Sequence, residues 1–185
     1  MFKLGSKQKG LSLIEALLVL GLLATIITVI TQNFQDASEK QKIQTVNQEV
    51  FQIYASMQEN FSDEGTASFT GSQDVMNEMA YNLGVKPATT KGSNKVWRHG
   101  LEGVYNLSNS GSGNYGFSLA ASKIPHGNAC SELVRASKKT GWTHIAVGGA
   151  IATAKEVELY TPAVIAEDCK GTTNLEIIFA YQPDD

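Results

Sequence analysis

The sequence has few of the residues that build metal centres and enzyme active sites. It holds only two cysteines, Cys130 and Cys169, and three histidines, with no Cys-x-x-Cys pair and no paired Cys/His spacing. A zinc site therefore has little support. No Ser/His/Asp or Cys/His arrangement can be recognised from spacing. The sequence thus predicts no catalytic residue, no metal and no cofactor.

Positive charge is scarce outside the first ten residues. Those ten include Lys3, Lys7 and Lys9 and no acidic residue, whereas the whole chain of 185 residues has a net charge of −3. The chain after residue 10 is therefore more acidic still, which makes it a poor candidate for general nucleic-acid binding. The hydrophobic fraction of 42% is ordinary for a folded domain.

A long apolar run follows these lysines. Residues Leu11 to Ile30 contain a single charged residue, Glu15, among leucine, isoleucine and valine. About 20 residues are needed for a helix to cross the hydrocarbon core of a bilayer. Lysines before the run and none soon after it predict an N-terminus in the cytoplasm and the remainder outside. A cleaved secretory signal fits less well, because its apolar core is usually about 7–15 residues and ends in a small-x-small site.

Glu15 is not explained by a plain signal anchor. An acid inside a membrane segment requires a partner. If the chain is cut between Gly10 and Leu11, a new amine lies four residues before Glu15 and can pair with it within one helix. The amine can equally pair with Glu15 of a neighbouring helix, which would set the axial register between subunits. The alternatives are a Glu15 that reaches the membrane interface or is protonated.

The segment KGLSLIE, residues 9–15, followed by the apolar run, resembles the processing site of type IV prepilins. The resemblance implies that a dedicated prepilin peptidase cuts after Gly10 and methylates Leu11, and that Glu15 acts in subunit assembly. It also implies an inner-membrane subunit pool, a cytoplasmic ATPase with a membrane platform, and a homo-oligomeric helical filament outside the cell. Such a pilus would serve adhesion to a host-cell or bacterial surface receptor, aggregation or conjugative contact.

Two features resemble the type IVb branch. Leu11 stands where the IVa branch usually has phenylalanine, and Gln32 is near the place of the proline that IVa members carry. The ten-residue leader is short for the IVb branch. The leading interpretation is a major pilus subunit, and a minor pilin or a type II secretion pseudopilin is the alternative. A membrane-anchored binding or enzyme domain is a remote third.

The helical pattern continues beyond the apolar run. Apolar residues recur there at the spacing of one helix face, namely Val46, Val50, Ile53, Tyr54, Met57 and Phe61. No proline or glycine occurs between Leu22 and Asp63. The predicted organisation is a leader over 1–10, a long helix over 11–61 and a globular head over 62–185. Within the helix, residues 11–30 are predicted to be transmembrane and later to form the filament core.

The head is predicted to be α+β, with the long helix packed on a mainly antiparallel sheet. Two short helices are expected, Asp74–Leu83 and Asn128–Lys139, the second with Asn128 as N-cap. Segments rich in β-forming residues predict the strands Leu101–Leu107, Tyr115–Ala120, Trp142–Val147, Glu156–Tyr160 and Leu175–Tyr181. In an exported protein two cysteines most simply form a disulfide, and type IV pilins have one in the same C-terminal region. Residues 109–114 are predicted to be a mobile turn.

Overall fold

The computed structural model describes residues 13–61, 72–108, 116–171 and 173–182. The chain divides into two compact units, Met1–Glu39 and Lys40–Asp185. We refer to the second unit as the head. The predicted cleavage site at Gly10 and Leu11 and the predicted turn at 109–114 lie outside the described residues.

The described elements form an α+β fold. The helices are α1 (Leu13–Phe61), α2 (Gln73–Asn82), α3 (Asn128–Ser137) and α4 (Pro162–Asp168). The strands are β1 (Trp97–Arg98), β2 (Val104–Ser108), β3 (Phe117–Ile124), β4 (His144–Val147), β5 (Lys155–Glu156) and β6 (Leu175–Tyr181). Two single turns of 3₁₀ helix, Ile151–Thr153 and Val157–Leu159, flank β5. The predicted long helix and α+β class are confirmed.

The six strands form one sheet in the order β1-β2-β3-β6-β4-β5, and every neighbouring pair is antiparallel. The register aligns apolar residues into a row across the central strands, because Leu107 faces Leu119, Leu119 faces Phe179, and Phe179 faces Ile145. All four of these side chains are fully buried. Successive residues of a strand point to opposite faces, so this row defines one apolar face of the sheet.

The part of α1 within the head supplies a second apolar surface to the same core. Ile43, Val46, Val50, Ile53 and Met57 are buried at positions that repeat every three or four residues. Side chains at this spacing lie on one face of a helix. Of the predicted stripe, Val46, Val50, Ile53 and Met57 are confirmed as core, and Tyr54 packs against it. The side chain of Phe61 lies outside the described part of the structure.

Aromatic rings join this helix to the sheet. The ring of Tyr54 lies 4.9 Å from that of Trp142 and 6.0 Å from both Phe117 and Tyr181. These separations are in the range favoured by aromatic pairs. Tyr54 is only partly buried, and burial raises the pKa of its hydroxyl.

Four of the five predicted strands have the right place in the chain, but their lengths differ from those predicted. The strand Leu175–Tyr181 has the predicted bounds, whereas the one expected from Leu101 begins at Val104. Glu102 has a φ of 66° and its amide donates to the His99 carbonyl. This tight turn places residues 101–103 outside the sheet. β3 extends to Ile124, beyond its predicted end.

The predicted strand Glu156–Tyr160 is wrong over most of its length. Only Lys155 and Glu156 pair with β4, and Val157–Leu159 is a 3₁₀ turn. Beyond Glu156 the Tyr160 amide bonds the Val157 carbonyl, so this segment hydrogen-bonds within itself. The Val157 amide bonds the Thr143 carbonyl, and the chain then leaves the sheet.

The helix ends also required corrections. The residue that caps α3 is Gly127, with φ 76°, and not Asn128, whose side-chain amide instead donates to Glu132. A positive φ suits glycine, which has no Cβ to clash. On α2, Met76 and Ala80 are buried, whereas Val75 is 51% exposed. Strand β1 and helix α4 were missed.

Candidate assembly helix and disulfide-bounded region

The N-terminal part of α1 exposes nearly all of its large apolar side chains. Their exposed fractions run from 45% at Ile26 to 78% at Leu13. The exposed residues are Leu13, Ile14, Leu17, Leu18, Val19, Leu20, Leu22, Leu23, Ile26, Ile27, Val29, Ile30 and Phe34. Soluble monomers rarely expose a contiguous apolar surface of this size. It requires a membrane, another helix or another protein to cover it.

This segment fits a membrane in length and composition. Helix α1 includes an 18-residue window with a mean hydropathy of 2.6, none of which is buried within the chain. Its polar hydroxyls are satisfied internally, since Thr25, Thr28 and Thr31 donate to backbone carbonyls three or four residues earlier. Internal bonding of this kind is what an apolar environment demands.

Glu15 lies in the first turn of the described helix, on its exposed surface. It is the only charged residue between Leu13 and Gln35. An acid near a helix N-terminus interacts favourably with the partial positive charge of the unsatisfied amides there.

The predicted disulfide is present in the head. Cys130 in the first turn of α3 forms a disulfide with Cys169, the residue that ends α4. The Gly127 amide also donates to the Cys169 carbonyl at 2.9 Å, and the His126 ring lies 3.3 Å from the same oxygen. The disulfide and these contacts hold the start of α3 against the end of α4, close to the beginning of β6.

Sequence reasoning missed a buried polar group in the head. Glu49 on α1 is 1% exposed, and Tyr105 on β2 donates a hydrogen bond to its Oε2 at 2.9 Å. Burial raises the pKa of Glu49, and the nearby hydroxyls of Thr89 and Tyr105 oppose that change. Burial and the neighbouring Glu49 carboxylate raise the pKa of Tyr105. A helix-face analysis could have found Glu49, because it lies three residues after Val46 and four before Ile53 of the buried stripe.

His99 is a second buried titratable residue. Its Nε2 lies 2.9 Å from the Ser122 carbonyl, and its Nδ1 accepts from the Leu101 amide. This pattern fixes a neutral ring with its proton on Nε2. Burial lowers the pKa of His99, against a smaller opposite effect of the Ser122 carbonyl. No group of three His, Cys, Asp or Glu side chains suited to a metal occurs within the described ranges.

Comparison with known proteins identifies the family. The sequence model of the family described as "PilS N terminal" matches residues 39–182. The chain belongs to this family. The match begins after the apolar run, so it is independent of the prepilin-like motif at residues 9–15. No curated protein sequence matches the chain.

A solved structure gives the fold. The chain is similar to the crystal structure of the type IVb pilin from Salmonella typhi, with a TM-score of 0.57 and 18% sequence identity. The match covers 75% of this chain and 97% of the other. At this identity the similarity shows that the two chains share a fold, and the family match supports the resemblance to type IV pilins. Pilins are structural proteins and not enzymes, and membership of the family implies assembly into a filament.

Proposed function

We propose that the chain is a prepilin whose residues 1–10 are a leader, removed by a prepilin peptidase between Gly10 and Leu11. Leu11 then becomes the methylated N-terminus. The long helix over 11–61 holds the subunit in the inner membrane through residues 11–30, and the globular part over 62–185 lies outside the cytoplasm. Subunits leave this pool and polymerise as the major component of a type IVb pilus.

The exposed apolar surface of α1 carries this proposal. Burying a large aliphatic side chain fully is worth about 1.5–3 kcal/mol. Covering thirteen side chains that are roughly half exposed is therefore favourable by on the order of 10–20 kcal/mol. One ionised acid near the end of the segment opposes insertion by about 3 kcal/mol at most. The bilayer covers this surface before assembly, and neighbouring helices cover it in the filament.

Glu15 is the proposed assembly residue. As the single charge in the apolar segment, an ionised Glu15 is costly to bury in a bundle of helices unless a cation accompanies it. The amine created at Leu11 supplies that cation on an incoming or a neighbouring subunit. A surface of uniform apolar side chains has no preferred axial position, whereas one charge pair fixes the register between helices.

The head forms the exterior of the proposed filament, with the region closed by Cys130 and Cys169 contributing to it. A cytoplasmic ATPase and an inner-membrane platform are the proposed assembly partners. A host-cell or bacterial surface receptor is the proposed external partner. The surface of the head would determine whether the pilus serves adhesion, aggregation or conjugative contact.

Intact mass and N-terminal sequencing of the protein from bacterial membranes and from sheared filaments test the proposal. We expect a chain that begins at Leu11 and is heavier by one methyl group, abundant in the filaments. A chain that still begins near Met1, in a host with an active prepilin peptidase, would contradict it. A processed chain that is rare in filaments would instead indicate a minor pilin or a type II secretion pseudopilin.

A further inference from the structure

A cleft of about 750 Å³ on the head gathers four cationic side chains. They come from separate parts of the chain and are Lys42, Lys91, Arg98 and Lys123. Lys42 lies on α1. Lys91 and Arg98 are paired through two backbone hydrogen bonds, and Lys123 lies at the irregularity in β3 with a φ of 56°. The tertiary structure therefore brings together charges that are far apart in the sequence.

These four cations have no salt-bridge partner within the part of the chain that the structure describes. The described salt bridges use Lys95, Lys155 and Lys170 instead. Two carboxyl groups line the cleft, the exposed Glu102 and the buried Glu49. Like charges that converge on a concave surface raise the local positive potential and attract an anion.

The floor of the cleft carries an unused polar atom. Glu49 is 1% exposed, and its Oε1 has no hydrogen-bond partner among the described residues, whereas its Oε2 accepts from Tyr105. A buried polar atom without a partner costs about 1–3 kcal/mol. A ligand that reaches the floor would remove this cost. A protonated Glu49 can donate from Oε1 to an oxygen of an anion.

We propose that this cleft binds a phosphate group. Its volume is within the range of about 300–1,000 Å³ that is typical of small-molecule sites. Arg98 offers a planar fork of donors and the three lysines offer ammonium groups, which are the side chains that bind phosphate oxygens. The hydroxyls of Thr45 and Thr89 also line the cleft. A tetrahedral dianion can accept from this many donors at once, whereas a single carboxylate uses fewer.

The same geometry predicts a pH dependence. Tyr105 donates a hydrogen bond to Glu49. The other titratable or charged side chains that line the same cleft are Lys42, Lys91, Arg98, His99, Glu102 and Lys123. A dianion beside Glu49 favours the protonated carboxyl, because two negative charges at close range repel. Binding therefore takes up a proton and strengthens as the pH falls. The proposal does not depend on processing or filament formation.

The test uses the full chain in nonionic detergent, titrated calorimetrically with inorganic phosphate. The double variant Arg98→Gln/Lys123→Gln should weaken saturable binding at least tenfold. The matched control is Arg135→Gln/Lys139→Gln, which removes the same charge from exposed positions at the end of α3 and should bind like the wild type. Absence of saturable binding, or an equal loss in both double variants, would overturn the proposal.

A second titration uses inorganic sulfate, whose charge is constant between pH 5 and 8. Wild-type affinity for sulfate should rise as the pH falls. The Glu49→Gln variant, whose side chain stays neutral, should show a smaller rise, because it lacks the contribution of Glu49. Identical pH profiles would overturn the placement of Glu49 at the site. Competition by glycerophosphoglycerol would identify a lipid headgroup as the source of the phosphate. Competition by glycerol 3-phosphate alone would identify a soluble or cell-surface monoester.

Discussion

The two parts of α1 share a backbone conformation and differ in what covers their apolar side chains. Before Glu39, residues such as Ile26 and Phe34 are 45% and 74% exposed. After Lys40, residues such as Ile43 and Ile53 are fully buried under the sheet. Residues 13–30 of the first part are apolar around the whole circumference of the helix, whereas the second part is apolar along one stripe only.

This difference separates two sources of stability. The stripe after Lys40 has its partner in the same chain, so a change there should affect folding of the head. The surface before Glu39 has its proposed partners in the bilayer and in other subunits, so a change there should affect assembly. Substitutions of the same type in the two parts can therefore distinguish folding from polymerisation.

The largest expected effect is on assembly, from Glu15→Ala. Removing one partner of a buried ion pair costs about 3–5 kcal/mol, and each 1.4 kcal/mol is about a tenfold change in an equilibrium. We expect normal membrane insertion and at least a tenfold lower yield of sheared filaments. Glu39→Ala, an exposed acid on the same helix, is the control and should assemble normally. A normal filament yield from Glu15→Ala would exclude the assigned role.

The disulfide should have the largest effect on the head alone. The bonded cysteines are 39 residues apart, and the chain-entropy account gives roughly 4 kcal/mol for a loop of about this length. Cys130→Ser and Cys169→Ser should lower the free energy of unfolding by similar amounts in urea, with insertion of α1 unchanged. Reduced wild type is the control and should resemble either variant. An unchanged melting temperature under oxidising conditions would rule out a stabilising role.

A matched pair of isoleucines tests the contrast within α1 directly. Ile53→Ala removes a fully buried side chain and should destabilise the head by about 2–5 kcal/mol. Ile26→Ala removes a side chain outside the head and should leave urea unfolding of the head unchanged. Equal effects of both substitutions on this unfolding transition would contradict the separation of the two parts.

Glu49→Gln should change how the stability of the head depends on pH. Burial raises the pKa of Glu49 in the folded state, so folding favours the protonated acid. The wild type therefore loses stability as the pH rises from about 4.5 through the raised pKa. The glutamine variant should match the wild type below this window and exceed it at neutral pH, by about 1.4 kcal/mol per unit of raised pKa. Urea unfolding from pH 4 to 8 measures the difference. A constant difference at every pH would contradict the sign.

The smallest predicted effect comes from a helix cap. The Thr161 side chain accepts from the Val164 amide at the start of α4, and Thr161→Ala should cost the head about 1 kcal/mol. Thr28→Ala removes a hydroxyl that bonds only within the apolar part of α1. It should leave the unfolding of the head unchanged. A head that is destabilised equally by both changes would again contradict the division.

Several elements could be read from the sequence because their signals are local. The buried stripe of α1 follows from the spacing of Val46, Val50 and Ile53, and β6 from an unbroken run of β-forming residues. Helix α4 was missed although it had a local signal, since Thr161 followed by Pro162 is typical of a helix start. The two-residue strand β1 has no local signal, because it exists only through pairing with β2.

The candidate sites divide in the same way. Gly10, Leu11 and Glu15 were selected from adjacent residues, so the sequence alone sufficed to predict a processing and assembly motif. Cys130 and Cys169 could be paired because there was no other choice. The cleft could not be predicted, because Lys42, Lys91, Arg98 and Lys123 come together only when α1 and the sheet are packed.

The sequence by itself determined which segment is apolar throughout, where its single charge lies and which helix face belongs to a core. These properties depend on neighbouring residues and on the 3.6-residue period. The tertiary structure alone decided where the strand at Glu156 stops, which residue caps α3 and which charges surround Glu49. Each of these depends on the position of a partner distant in the sequence, and no local propensity encodes that position.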